Sequence, residues 1–155
     1  MLYDIIAAFA NTATALGLVF AACTYYRDAK RKLKQDTLEA YRQLQRETLS
    51  AINQWKPVEI RVATENTASK EYAELSCLLA EIEHFCLGIN EGIYDFNTFY
   101  ELSHGYFDGE RSKLKPRIIP LMEAKLDKAD EDYFENIHKV WKKMDKLSEQ
   151  KGRRA

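Results

Sequence analysis

The stretch Ile5–Tyr26, IIAAFANTATALGLVFAACTYY, carries no charged residue and is followed at once by Arg27-Asp28-Ala29-Lys30-Arg31-Lys32-Leu33-Lys34. As a helix its 22 residues extend roughly 33 Å, close to the hydrocarbon thickness of a bilayer. Tyr3 stands at one end and Tyr25 and Tyr26 at the other, where amphipathic rings favour a membrane interface. Length and lack of charge together predict a transmembrane anchor over residues 1–26 rather than a helix buried in a globular core. Only Asp4 lies on the amino side, whereas Arg27, Lys30, Arg31, Lys32 and Lys34 crowd the carboxyl side. Basic flanks stay inside, so the expectation is an inner (plasma) membrane protein with its amino terminus outside and the rest cytoplasmic.

A cleaved leader would begin with positive charge, which is missing here. Phe20-Ala21-Ala22-Cys23 is similar to a bacterial lipid-attachment box, yet the basic cluster behind it would have to cross the membrane. Within the helix, Ala7, Ala10, Thr14, Gly17, Ala21 and Thr24 recur at steps of three and four. They form one stripe of small residues that lets helix backbones approach closely, and Asn11 adds an amide able to bond across helices. Self-association through this stripe is the expectation. The basic cluster Arg27, Lys30, Arg31, Lys32 and Lys34 is expected to contact anionic lipid.

At 155 residues the chain has room for one domain beyond the anchor. From Gln35 onward 18 basic residues face 22 acidic ones. A mildly acidic body argues against a nucleic-acid partner, which asks for a basic face. Cys23, Cys77 and Cys86 are too few and too scattered for a disulfide framework.

No Gly or Pro interrupts residues 26–55, and Leu38, Tyr41, Leu44, Thr48, Ile52 and Trp55 keep helical spacing. The spacing predicts that the first helix runs on through a juxtamembrane segment over 27–56 and stops at Lys56-Pro57. Val58, Ile60 and Val62 alternate with charged residues, a strand-like cue without a partner strand, so an extended connector is expected there. A second helix is expected over about 70–92, with Leu75, Leu79, Ile82, Cys86, Ile89 and Ile93 as its core stripe. Ser69 or Thr67 caps it, and Gly92 ends it before an Asp95 cap. Residues 96–125, with Phe99, Tyr100, Phe107, Leu114, Ile118 and Leu121, form one interrupted helix or two short ones, because Pro116 and Pro120 break the run. A last helix is expected over about 130–150 with Tyr133, Ile137, Val140, Trp141, Met144 and Leu147, then a basic tail at 151–155. The fold class predicted is all-α: a transmembrane helix continuing into a bundle of about four helices, the bundle proper spanning 57–150.

Leu79–Asp95, LAEIEHFCLGINEGIYD, together with the aromatic stretch through Phe107 and Lys115-Pro116, resembles a family of uncharacterised bacterial single-pass proteins. Members have an amino-terminal membrane helix and a cytoplasmic helical domain. The resemblance implies a fold and a bacterial membrane location, and it implies no activity and no catalytic residue.

All three histidines fall in Glu-x-x-His pairs: Glu81/His84, Glu101/His104 and Glu135/His138. Carboxylate-bridged metal bundles use that spacing on two helices, so these six are the candidate metal ligands. On a helical wheel, however, His84 points away from Ile82 and the core. No nucleotide loop, serine elbow or metal-binding cysteine pair occurs, and neither a catalytic residue nor a cofactor is expected. The reading is a non-enzymatic, membrane-anchored, self-associating helical module with a cytoplasmic protein partner. Alternatives are an oligomeric membrane-disrupting effector and a metal-binding bundle enzyme.

Overall fold

The computed structural model describes residues 2–103, 107, 114–124 and 133–152; the side chains at 2–12, 115, 116 and 152 lie outside that description. Among the described residues every regular element is helical. The first, α1, runs from Leu2 to Leu44 and passes through a π turn at Gln45–Leu49 into α2, Ser50–Gln54. With no Gly or Pro to interrupt it, the path is continuous until Trp55, whose ψ of 128° is extended. Then follow α3, Pro57–Glu65; α4, Lys70–Asn90; α5, Phe96–Ser103; a second π turn at Leu114–Ile118 leading into α6, Ile119–Glu123; and α7, Glu135–Gly152.

The membrane-spanning part of the expected fold is corrected. Among the described residues no helix is long and apolar enough to cross a membrane. The single-pass topology and the inner-membrane location with the amino terminus outside go with the span.

A second correction falls on Val58–Val62, which is not a connector but part of α3. Pro57 occupies the first turn, where its missing N–H is no loss, and the Glu59 carboxylate accepts the Lys56 N–H at 2.7 Å. Ile60, Ala63 and Thr64 face inward while Val58 and Val62 are exposed. That is a helical period, and the apparent alternation covered too few residues to tell the two apart.

The α4 stripe forms the centre of the core. Leu75, Leu79, Ile82, Phe85, Cys86 and Ile89 are buried, and α4 packs chiefly on α7 through Ile137, Val140, Trp141 and Met144. From α1, Tyr41 and Leu44 join the same cluster. Three expected core positions are corrected: Ile93, Leu121 and Tyr133 are exposed. Ile93 lies past the helix end, and Met122 and Phe134, one residue on from the other two, are buried instead.

The exit from α4 is the most sharply specified local feature. Ser69 caps the start by accepting the Tyr72 N–H at 3.0 Å. At the other end Gly92 takes φ +75°, a conformation that a side chain disfavours, and the Ile93 and Tyr94 N–H groups both reach Gly88 O at 2.9 and 3.1 Å. Tyr94 folds back and stacks on Phe85, centroids 5.1 Å apart. A Cβ on Gly88 would sit 2.6 Å from Tyr94 Cε2. Gly88→Ala is therefore expected to displace the ring and cost about 1–3 kcal/mol, read as a lower thermal midpoint. An unchanged midpoint would mean that the ring moves aside freely.

Candidate functional site

A cleft of about 320 Å³ opens where the π turn passes α4, lined by Gln43, Glu47, Thr48, Glu81, His84 and Tyr94 among others. The π turn holds one residue more than a helical turn, a distortion common beside functional sites. Thr48 within it is buried, and its hydroxyl donates to the Glu81 carboxylate. The Gln43 amide donates to Glu47 Oε2 at 3.3 Å. Phe85, buried in the core, forms the apolar wall. The cleft thus offers two carboxylates, an imidazole and a phenol at the surface.

Of the six candidate metal ligands only Glu81 and His84 line this cleft. Glu101 is exposed on α5, and His104 lies outside the described residues. Glu135 forms an ion pair with Lys139 within α7 at 2.5 Å, while His138 Nε2 meets Glu123 Oε1 of α6 at 2.5 Å and its ring abuts Trp141. Among the described residues no three His, Cys, Asp or Glu side chains are grouped to hold a metal ion. The Glu-x-x-His spacing is local to each helix, and the bundle brings neither Glu135 nor His138 to the cleft that Glu81 and His84 line.

The chemistry-bearing residue that the sequence did not single out is Glu83. Its Oε1 accepts Asn136 N at 2.9 Å and Asn136 Nδ2 at 2.8 Å, and its Oε2 accepts Ile137 N at 3.0 Å. Asn90 Nδ2 donates to Asn136 Oδ1 at 3.0 Å, and Lys143 Nζ donates to Asn90 Oδ1 at 2.9 Å. A carboxylate on α4 therefore caps the first turn of α7, where free N–H groups and the helix dipole favour negative charge. The neighbouring Cys86 thiol is pushed up by burial, with the Glu83 charge adding to it, so it is inert as a nucleophile.

A comparable device ties α5 to α1. Thr37, fully buried, donates to Leu33 O and accepts the Asp95 N–H, both at 2.7 Å. Asp95 Oδ1 in turn accepts from Thr98 N at 2.8 Å and Thr98 Oγ1 at 2.6 Å. Burial works to raise the Asp95 pKa, but the bonds from Thr98 and the charges of Lys34 and Lys30 outweigh it, and the carboxyl is held below its usual value.

The remaining candidates lie on the free part of α1. Every residue from Ala13 to Lys32 is exposed, including Leu16, Leu18, Val19, Phe20, Tyr25 and Tyr26. Thr14, Gly17, Ala21 and Thr24 of the small-residue stripe are open, and nothing lies within 4 Å of a Cβ placed on Gly17. Ala7, Ala10 and Asn11 belong to the helix, but their side chains lie outside the described residues. Arg27, Lys30, Arg31, Lys32 and Lys34 extend from the same rod, all exposed. No family model, curated protein or solved structure matches the chain.

Proposed function

We propose that the protein is a non-enzymatic interaction module that associates with itself through the free part of α1 and offers its helical bundle to a protein partner. One observation carries this reading: an uncharged helix stands exposed on all sides from Ala13 to Tyr26. A helix apolar all round is ordinarily covered, and contiguous apolar surface of this kind marks an association site. The bundle beneath it is fully provided with a core of its own and leaves this segment uncovered.

Gly17→Ile tests the reading cleanly. A Cβ there has nothing within 4 Å beyond the helix's own backbone, so the folded monomer has room for it, whereas two packed backbones would be held apart. Sedimentation equilibrium of the full chain is expected to show concentration-dependent association, weakened about tenfold or more by the substitution, equivalent to roughly 1.4 kcal/mol. A wild-type chain that keeps single-chain mass at every concentration overturns the proposal.

A further inference from the structure

We infer that the cleft between α3 and α6 binds a small carboxylate with an apolar body, anchored by Arg117. The cleft measures about 340 Å³ and is lined by Pro57, Ile60 and Arg61 from one side and by Arg117, Pro120 and Leu121 from the other. Each trio keeps the spacing of three and then one that places residues on one side of a helix, and the two meet where α3 packs on α6. The volume lies at the lower end of the range of small-molecule sites.

Apart from two guanidinium groups, the side chains lining this cleft are carbon. Ile60 is buried, and Leu121, 37% exposed, is a large apolar side chain that the bundle leaves open. Pro57 and Pro120 have no N–H to donate. Positive groups beside apolar walls complement a ligand that is negative at one end and apolar over the rest. None of the side chains lining the cleft is acidic. By contrast, the cleft beside the first π turn holds Glu47 and Glu81, and the hollow beside Trp55 holds Glu59, Glu71 and Glu74. An organic cation is therefore disfavoured at this cleft, and a free phosphate would leave its apolar walls unused.

The two arginines are not equivalent. Arg61 Nε meets Glu65 Oε1 at 3.3 Å, one turn along α3, and both side chains are exposed. Such a pair is weak. Among the described residues no carboxylate forms an ion pair with Arg117. Its planar fork can hold a carboxylate through two parallel N–H···O bonds. Arg117 is thus the anchor, and Arg61 adds positive potential beside it.

Octanoate titrated into the isotope-labelled full chain tests the site, with acetate and octylamine as comparisons. Octanoate is expected to give saturable amide shifts at Ile60, Arg61 and Leu121. Acetate, which keeps the carboxylate and loses the body, is expected to bind about tenfold or more weakly, and octylamine to leave these amides unmoved. Arg117→Gln is expected to weaken octanoate about tenfold or more, and Arg61→Gln to weaken it less; the rest of the amide spectrum, unchanged, shows that each variant is folded. Shifts confined to the exposed apolar segment Ala13–Tyr26 would mean adventitious binding there and overturn the inference. Equal binding of acetate or octylamine, unchanged affinity in Arg117→Gln, or no saturable shift would overturn it as well. A greater loss in Arg61→Gln than in Arg117→Gln would overturn the choice of anchor. Self-association is read separately by sedimentation and stands or falls apart from these results.

Discussion

Replacing Phe99 by alanine is expected to lower the unfolding free energy by about 3–5 kcal/mol, measured as a reduced urea midpoint. Phe99 is fully buried and its ring touches three others: Tyr41 at 5.6 Å, Phe85 at 5.4 Å and Phe107 at 5.3 Å. These belong to α1, α4 and the residues after α5, so one side chain joins elements well separated in sequence. The Tyr41 and Phe107 contacts are near edge-on, at 75° and 84°, the arrangement that the ring quadrupole favours, worth ~0.5–1.5 kcal/mol per pair beyond buried area. A loss of this size is a large share of the 5–15 kcal/mol typical of a domain. Phe96, half-buried and, among the described residues, paired with Tyr100 alone at 6.3 Å, supplies the control: Phe96→Ala is expected to cost about 1–2 kcal/mol. Equal effects at the two positions would refute the central placement of Phe99.

Glu83→Ala is expected to destabilise the chain by about 2–3 kcal/mol, since hydrogen bonds to a charged group each contribute ~1.5–3 kcal/mol and are not additive within one network. The substitution removes the acceptor of two backbone N–H groups at the start of α7 and of the Asn136 amide. Glu83→Gln keeps one carbonyl acceptor but loses the charge that suits a helix amino end, so it should fall between wild type and alanine. Hydrogen exchange localises the effect. Amide protection at Asn136 and Ile137 is expected to drop before that of the α4 core, and uniform loss across the chain would argue against a capping role.

These two predictions also show what was legible from the residues and what was not. The α4 stripe Leu75, Leu79, Ile82, Cys86 and Ile89 could be read because a helix repeats every 3.6 residues and each position reports the same face. Ser69, Gly92 and Asp95 could be read because a cap acts within three residues of itself. Val58–Val62 was misread because five residues alternating in polarity fit a strand and one side of a short helix equally well. The Glu-x-x-His spacing drew attention to Glu81, two positions from the carboxylate that caps α7. Glu83 finds its partners 53 and 54 residues away, and no spacing rule reaches that far.

The amino-acid sequence by itself determined the helical class, the long uninterrupted first helix, the α4 core face and the turn after it, because each follows from interactions within about four residues. Only the tertiary structure decided that Pro57–Glu65 is helical, that Glu83 caps α7, that Thr37 receives the Asp95 N–H, and that the Glu/His pairs scatter. It also overturned the membrane span: among the described residues no helix is long and apolar enough to cross a bilayer, and the side chains from Ala13 to Lys32 stand exposed. Composition states how apolar a segment is, whereas what that segment packs against depends on where the rest of the chain places its own surfaces.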